Sequence, residues 1–192
     1  MIRFTPPAEP PEFMGKVKVP GNEWLNTHPK GRPKDLWTAF KNELANGFGN
    51  LCAYSAMFEP VGTVDHYLGC ENHRDQSYEW SNYRFASGWI NSSKRTQDEK
   101  VLDPFQVGDD WFELLLPSLQ LVLTDAVPAN EKRRSEHTLN HLHLRDDERV
   151  IRQRREWYRM YQEGELTLDG LAKKAPLIAR AIRKQMLIAA GV

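Results

Sequence analysis

The residues best suited to chemistry lie between Phe58 and Lys94, where Asp65 and His66 stand side by side after an apolar residue. Phosphodiester hydrolysis needs a base that activates water and a divalent cation that offsets the charge on the phosphate. His66 suits the role of base because the unperturbed imidazole pKa of about 6.5 lies near working pH. The Asp65 carboxylate is a hard oxygen ligand of the kind that Mg²⁺ prefers. The pair therefore predicts a metal-dependent nuclease site.

Two asparagines and a lysine extend this predicted site along the chain. Asn91 is predicted to be a second oxygen ligand of the metal. Asn82, or a backbone carbonyl beside it, is predicted to orient the imidazole of His66, and Lys94 is predicted to meet a phosphate. The alternative is that both asparagines serve as turn residues, which is their usual role. The predicted catalytic residues are His66, Asn82 and Lys94, and the predicted nucleic-acid contacts are Arg84, Lys94 and Arg95.

Composition limits the remaining function classes. A chain of 192 residues can bury a sizeable core. Lys plus Arg and Asp plus Glu number 26 each, so the net charge provides no overall field that attracts nucleic acid, although a local patch or a partner can. The two cysteines cannot form a four-thiolate zinc site. With no signal-peptide core and no apolar run of about 20 residues, we expect a cytoplasmic protein without a membrane partner.

The elements that position the site follow from apolar spacing and breaker residues. Residues 1–33 contain seven of the twelve prolines, which predicts an arm without long regular structure, packed on the domain through its apolar residues. A helix is predicted from Lys34 or Asp35 to the glycines after Leu44. Residues 57–62 and 63–67 are predicted to be two short extended segments, and residues 82–94 a loop leading into a helix.

The second half of the chain predicts a hairpin followed by helices. Residues 111–116 and 119–127 are apolar and flank Pro117-Ser118, which favours a β-hairpin. Residues 129–136 are interpreted as a charged connection. The next helix is capped by Asp146 or Asp147, and the last is broken or restarted at Pro176. The histidines of residues 137–143 are interpreted as the polar face of a capping segment, with a metal cluster as the alternative.

One predicted helix is rich in arginine. It contains Arg149, Arg152, Arg154, Arg155 and Arg159. We interpret this helix as a solvated face with acidic partners four residues apart, such as Glu148 with Arg152. A surface that contacts phosphates is the alternative.

Four short motifs resemble the HNH (His-Me finger) endonucleases, in particular the HNH proteins of retrons and of Septu-type anti-phage defence. The motifs are Cys52-Ala53-Tyr54-Ser55, Val64-Asp65-His66-Tyr67, Glu79-Trp80-Ser81-Asn82 and Asn91-Ser92-Ser93-Lys94. The resemblance covers most of the chain after residue 35. It implies an α+β fold in which residues 34–128 form a ββα-metal core with an added β-hairpin and flanking helices. Residues 129–192 would then form a helical C-terminal region.

The resemblance also implies roles for the site residues. His66 would be the general base, Asp65 and Asn91 the metal ligands, and Asn82 the middle asparagine of the motif. The implied activity is DNA cleavage with Mg²⁺ or Mn²⁺, in an anti-phage defence system with an ATPase partner. The alternatives are an inactive HNH-like module that binds nucleic acid or protein, and a small helical interaction protein in which Asp65-His66 is structural.

The chain departs from the family at its zinc site. The four zinc-binding cysteines of the family correspond to Cys52, Ser55, Ser87 and Ile90. One thiolate cannot hold a structural zinc ion, so none is expected. Packing by Phe85, Trp89 and Ile90 is expected to replace it.

Overall fold

Within residues 1–191, which a computed structural model describes, the chain forms seven α-helices and two small antiparallel sheets. The predicted α+β class is confirmed at this level. The strands are β1 Thr63–His66, β2 Tyr83–Ala86, β3 Phe112–Leu115 and β4 Gln120–Leu123. The helices are α1 Val19–Thr27, α2 Lys41–Gly47, α3 Gly88–Lys94, α4 Lys132–His141, α5 Glu148–Gln162, α6 Leu168–Lys174 and α7 Pro176–Ala189.

The first sheet and the helix after it carry the candidate site. Strands β1 and β2 pair antiparallel, with Asp65 opposite Arg84 and His66 opposite Tyr83, and α3 follows β2 directly. The prediction of an extended segment at residues 63–67 is confirmed. The prediction for residues 57–62 is wrong, because only an isolated bridge forms there. The strand that pairs with β1 is β2. All four residues of β2 are buried, so the strand lacks the alternation of apolar and polar residues that marks a half-exposed strand.

The N-terminal arm contains more regular structure than predicted. A π-helical turn at Met14–Lys18 continues directly into α1. Most of the prolines lie before or after this helical stretch, and Pro20 occupies the first turn of α1, where its missing N–H is tolerated. Phe13 and Val17 are fully buried, so the arm packs on the rest of the molecule as predicted.

A helical segment beneath the site is found where the sequence predicts it. A 3-10 turn at Trp37–Phe40 leads into α2. Asp35 opens the segment, because its carboxylate accepts the Thr38 backbone N–H at 3.0 Å. Gly49 and Asn50, both with positive φ, end it. Trp37 is buried and borders the groove described below.

The C-terminal half agrees with the prediction except at one helix. The hairpin β3–β4 forms as predicted. Residues 129–136, predicted to be a charged connection, instead lead into α4. Its buried residues, Ser135, Thr138 and Leu139, are spaced three or four apart as in a helix face. Charged residues surround this short buried stripe in the sequence, so no apolar spacing indicated a helix here.

The last helices begin and break where the sequence predicts. Asp147 caps α5, since its side chain accepts the Arg149 backbone N–H, and the chain breaks at Ala175 before Pro176 starts α7. One cluster of buried apolar side chains runs from Met1 in the arm to Ile182 in α7. Across the described residues, no helix combines the length and apolar character needed to cross a membrane.

Candidate active site

His66 lies at the end of β1 and is partly exposed. Its Nε2 lies 2.9 Å from the carbonyl oxygen of Ser77. A carbonyl only accepts hydrogen bonds, so Nε2 carries the proton and Nδ1 keeps the lone pair. Trp37 and Tyr83 contact the ring edge-on, with centroids at 4.5 Å and 4.9 Å. Burial lowers the pKa of His66 below its usual 6.5, so the ring is neutral at pH 7, as a general base must be.

Asn82 does not contact His66, and its predicted catalytic role is corrected to a positioning role. Its Oδ1 accepts the Leu68 backbone N–H at 2.8 Å. Its Nδ2 donates to the carbonyls of Leu68 and Gln76, each at 3.0 Å. Asn82 therefore ties the start of the loop between β1 and β2 to Gln76, the residue before Ser77. The loop in turn places the Ser77 carbonyl, which is the group that orients the imidazole.

Asp65 on β1 and Lys94 at the end of α3 form a buried ion pair. Lys94 Nζ lies 3.1 Å from Asp65 Oδ1 and donates to the His66 carbonyl at 2.7 Å. Tyr54 donates its hydroxyl to Asp65 Oδ2 at 2.6 Å. Burial and, next, the charge of Asp65 raise the pKa of Tyr54 well above 10, which keeps this donor protonated. Lys94 is 1% exposed, so its predicted phosphate contact is corrected to a structural contact.

Arg84 is also buried, which corrects its predicted role in binding nucleic acid. Its Nε and Nη2 donate to the two carboxylate oxygens of Asp103, each at 2.9 Å. The guanidinium lies 3.6 Å from the centroid of the Phe105 ring. At 3% exposure the side chain cannot reach a ligand in solution. It fastens the end of the sheet to the segment after α3.

Asn91 and Arg95 lie at the other side of the site. Asn91 is half-buried on α3, and its Nδ2 donates to Thr63 Oγ1 at 3.0 Å. No donor within residues 1–191 bonds its Oδ1, so that oxygen is available as a ligand. Arg95 follows the last residue of α3 with φ of +48° and is exposed.

An open groove of about 1030 Å³ brings these residues together. Trp37 and residues 64–66 line it, with residues 29–33 of the arm, residues 69–71 and 74 of the β1–β2 loop, and residues 91, 95 and 96. Four of its lining residues are cations and two are acids. Since one of the acids, Asp65, is already paired with Lys94, the groove is locally basic although the chain is neutral overall.

The groove offers two candidate oxygen donors for a divalent cation on neighbouring elements. Asn91 presents an amide oxygen, whereas the Asp65 carboxylate is 2% exposed and meets a cation only if its pair with Lys94 opens. Each Asp65 oxygen accepts one hydrogen bond and keeps a further lone pair. The ion pair with Lys94 offsets part of the carboxylate charge, so we expect weaker metal binding than for a free carboxylate. Within residues 1–191, no cluster of three or more His, Cys, Asp or Glu side chains is arranged to hold a metal.

Two positions that correspond to the family's zinc ligands, Cys52 and Ser87, lie at the end of the sheet away from His66. Cys52 Sγ lies 3.7 Å from Ser87 Oγ. Ser55 and Ile90 are also buried. Phe85 and Ile90 belong to the core and Trp89 packs against it, as the packing prediction requires.

No family model and no curated protein matches the chain.

The structure adds three features that the sequence did not assign. The first is Tyr54 as a partner of Asp65. The second is the Ser77 carbonyl, which as a backbone group has no sequence signature. The third is the basic pair Lys30 and Arg32, which lies between two prolines of the arm.

Proposed function

We propose that the protein is a metal-dependent HNH endonuclease that hydrolyses phosphodiester bonds in DNA, with His66 as general base. The observation that carries this proposal is the state of His66. A neutral imidazole, with Nε2 fixed by the Ser77 carbonyl, lines a basic groove beside Asp65 and Asn91. A histidine kept only for packing would need neither the free Nδ1 nor the oxygen donors.

The element order supports the proposed ββα-metal core. His66 ends β1, Asn82 immediately precedes β2, and Asn91 lies on α3. Cys52 and Ser87, which correspond to two of the family's zinc ligands, contact each other just before α3, and this contact also supports the proposed core. Both features agree with the motifs that resemble HNH endonucleases.

The proposed mechanism assigns one task to each side chain. His66 Nδ1 accepts a proton from the attacking water, and the Ser77 carbonyl stabilises the resulting imidazolium through the Nε2–H. Asn82 holds the loop that carries Ser77. Asp65 and Asn91 would hold Mg²⁺ or Mn²⁺, which when bound supplies positive charge to the phosphate.

The proposed setting is anti-phage defence, with an ATPase partner that restrains or directs the nuclease. This part rests on the resemblance of the motifs. The balanced charge of the chain supports dependence on a partner, because a neutral nuclease has little long-range attraction for DNA.

Plasmid cleavage tests the proposal. With Mg²⁺ or Mn²⁺, His66→Ala should lower the cleavage rate by about 10²- to 10⁴-fold, the usual contribution of a general base. His137→Ala is the matched control, because His137 lies on α4 and does not line the groove. Equal rates for the unchanged chain and His66→Ala would refute the assignment of His66.

The second candidate function is a module that binds nucleic acid without cutting it. The Asp65–Lys94 ion pair favours this candidate, since it engages one of the two metal ligands. Binding of labelled DNA without cleavage in either metal, with and without the partner, would select it.

A further inference from the structure

We propose that residues 29–33 of the N-terminal arm form a phosphate-binding wall of the groove, with Lys30 and Arg32 contacting the backbone of the nucleic-acid strand held over His66. This inference rests on the proposed function and names how the same site holds its polymer. The arm precedes all the motifs that resemble the HNH family, so none of them assigns it a role.

The first support is unpaired charge. Lys30, Arg32, Arg74 and Arg95 line the same groove as His66. Within residues 1–191, none of these four cations has a carboxylate oxygen within 4.0 Å. The exposed Glu71 is the only lining acid that lacks an ion pair. The groove therefore holds an excess of positive charge that an anionic ligand would offset.

The second support is that the wall is held in place before any ligand arrives. Arg74 donates to the backbone carbonyls of His28 and Gly31, which ties the arm to the β1–β2 loop. Its guanidinium also lies 5.6 Å from the ring centroid of Trp24, and that ring stacks on His28 at 4.3 Å. Preorganisation of this kind reduces the conformational entropy lost on binding.

The third support is the distribution of the cations along the groove. Lys30, Arg32 and Arg74 lie on the joined loops, whereas Arg95 lies at the end of α3. These cations lie on separate elements around His66. Such an arrangement fits a nucleic-acid strand with several phosphates better than a single phosphate group. Contacts to backbone phosphates fix the register of a strand and carry no direct sequence information. The wall therefore predicts sequence-independent, salt-sensitive binding.

The test measures binding of a fluorescein-labelled oligonucleotide by anisotropy in EDTA, so that cleavage does not enter. The Lys30→Ala/Arg32→Ala variant should bind at least about tenfold more weakly at low salt. Its slope of log affinity against log salt should fall by about 1.5, since each phosphate contact contributes about 0.7 to 0.9. Single-stranded and duplex forms of the same sequence show which polymer the groove prefers.

Arg152→Ala/Arg155→Ala is the matched control, because it removes the same charge from exposed positions on α5. We expect its affinity to stay within about twofold of the unchanged chain. Equal losses in the two double variants, or no binding by the unchanged chain at low salt, would overturn the wall. Thermal melts show whether both variants fold.

The outcomes separate this inference from the proposed function. If the unchanged chain does not cleave DNA but Lys30→Ala/Arg32→Ala weakens its binding, the phosphate-binding wall is supported and the nuclease proposal is rejected. Cleavage with an unchanged KM in Lys30→Ala/Arg32→Ala would keep the nuclease and reject the wall.

Discussion

The two ends of the β1–β2 hairpin have opposite surroundings. At one end, Cys52, Ser87 and Ile90 are buried. At the other, His66 lines an open groove. Hydrophobic packing is non-directional and depends mainly on area, so apolar groups can replace a structural metal. The proposed proton transfer and metal binding require particular atoms in particular places, so we expect the groove end to tolerate no such replacement.

A buried polar cluster lies between these two ends. Asp65, Lys94 and Tyr54 are as buried as Cys52, Ser87 and Ile90, yet they are polar like the groove. This cluster connects β1 to α3 and contacts the backbone of His66. It therefore serves the stability of the hairpin and the position of the His66 backbone together.

Breaking the buried pair should produce the largest change in stability. Asp65→Asn leaves the Lys94 ammonium buried without a counter-charge, and we expect the free energy of unfolding to fall by about 3 to 5 kcal/mol. Urea denaturation measures this. The double variant Asp65→Asn/Lys94→Met should recover much of the loss, because neither charge is then left alone. A loss below about 1 kcal/mol would mean that the pair is well solvated, and Asp65 would then belong with the open groove.

Placing cysteines at the positions that correspond to the family's zinc ligands should give the next largest effect. Ser55→Cys/Ser87→Cys/Ile90→Cys completes four thiols with Cys52, and we expect about one zinc ion per chain. Zinc at 100 times its Kd would stabilise the folded variant by about 2.7 kcal/mol. Metal analysis and thermal melts with and without chelator measure both quantities.

The control for this experiment is Ser55→Cys/Ser87→Cys, which keeps Ile90 and provides one thiol fewer. It should bind zinc more weakly than the complete set. If the four-cysteine variant holds no zinc, the correspondence between these positions and the family's zinc ligands is wrong.

Apolar spacing predicted much of the fold because it reports local burial. It placed α2, the β3–β4 hairpin, α5 and the break at Pro176 correctly. It failed at β2, where burial on both faces removes alternation, and at α4, where charged residues surround a narrow buried stripe. The helical stretch in the arm was missed because the prolines that flank it dominated the interpretation.

The site was predictable in its residue types but not in its contacts. Asp65, His66, Asn91 and Arg95 do line one groove. The predictions for Lys94 and Arg84 failed because the partners of these two residues are distant in sequence. Lys94 is 29 residues from Asp65, and Arg84 is 19 residues from Asp103. Tertiary contacts of this length leave no local pattern, so a basic residue near a motif is easily mistaken for a ligand contact.

The smallest expected effect is the pH dependence of stability at the groove end. Burial lowers the pKa of His66 in the folded chain, whereas the unfolded chain should titrate near 6.5. Between these values the unfolded state binds more protons, so stability should fall as pH drops below 6.5 and level off below the folded pKa. Urea denaturation between pH 5 and about pH 8 should show a shallower fall for His66→Gln than for the unchanged chain.

His137 provides the comparison for this measurement, because burial and then His141 lower its pKa as well. His137→Gln should remove its own separate part of the pH dependence, and the double variant should flatten the curve further. If the His66 contribution instead increased as pH fell from 7 to 6, the ring would be protonated in the folded chain. The Ser77 hydrogen bond and the charge of Asp65 would then outweigh burial, and the ring would lack the free lone pair that a general base requires.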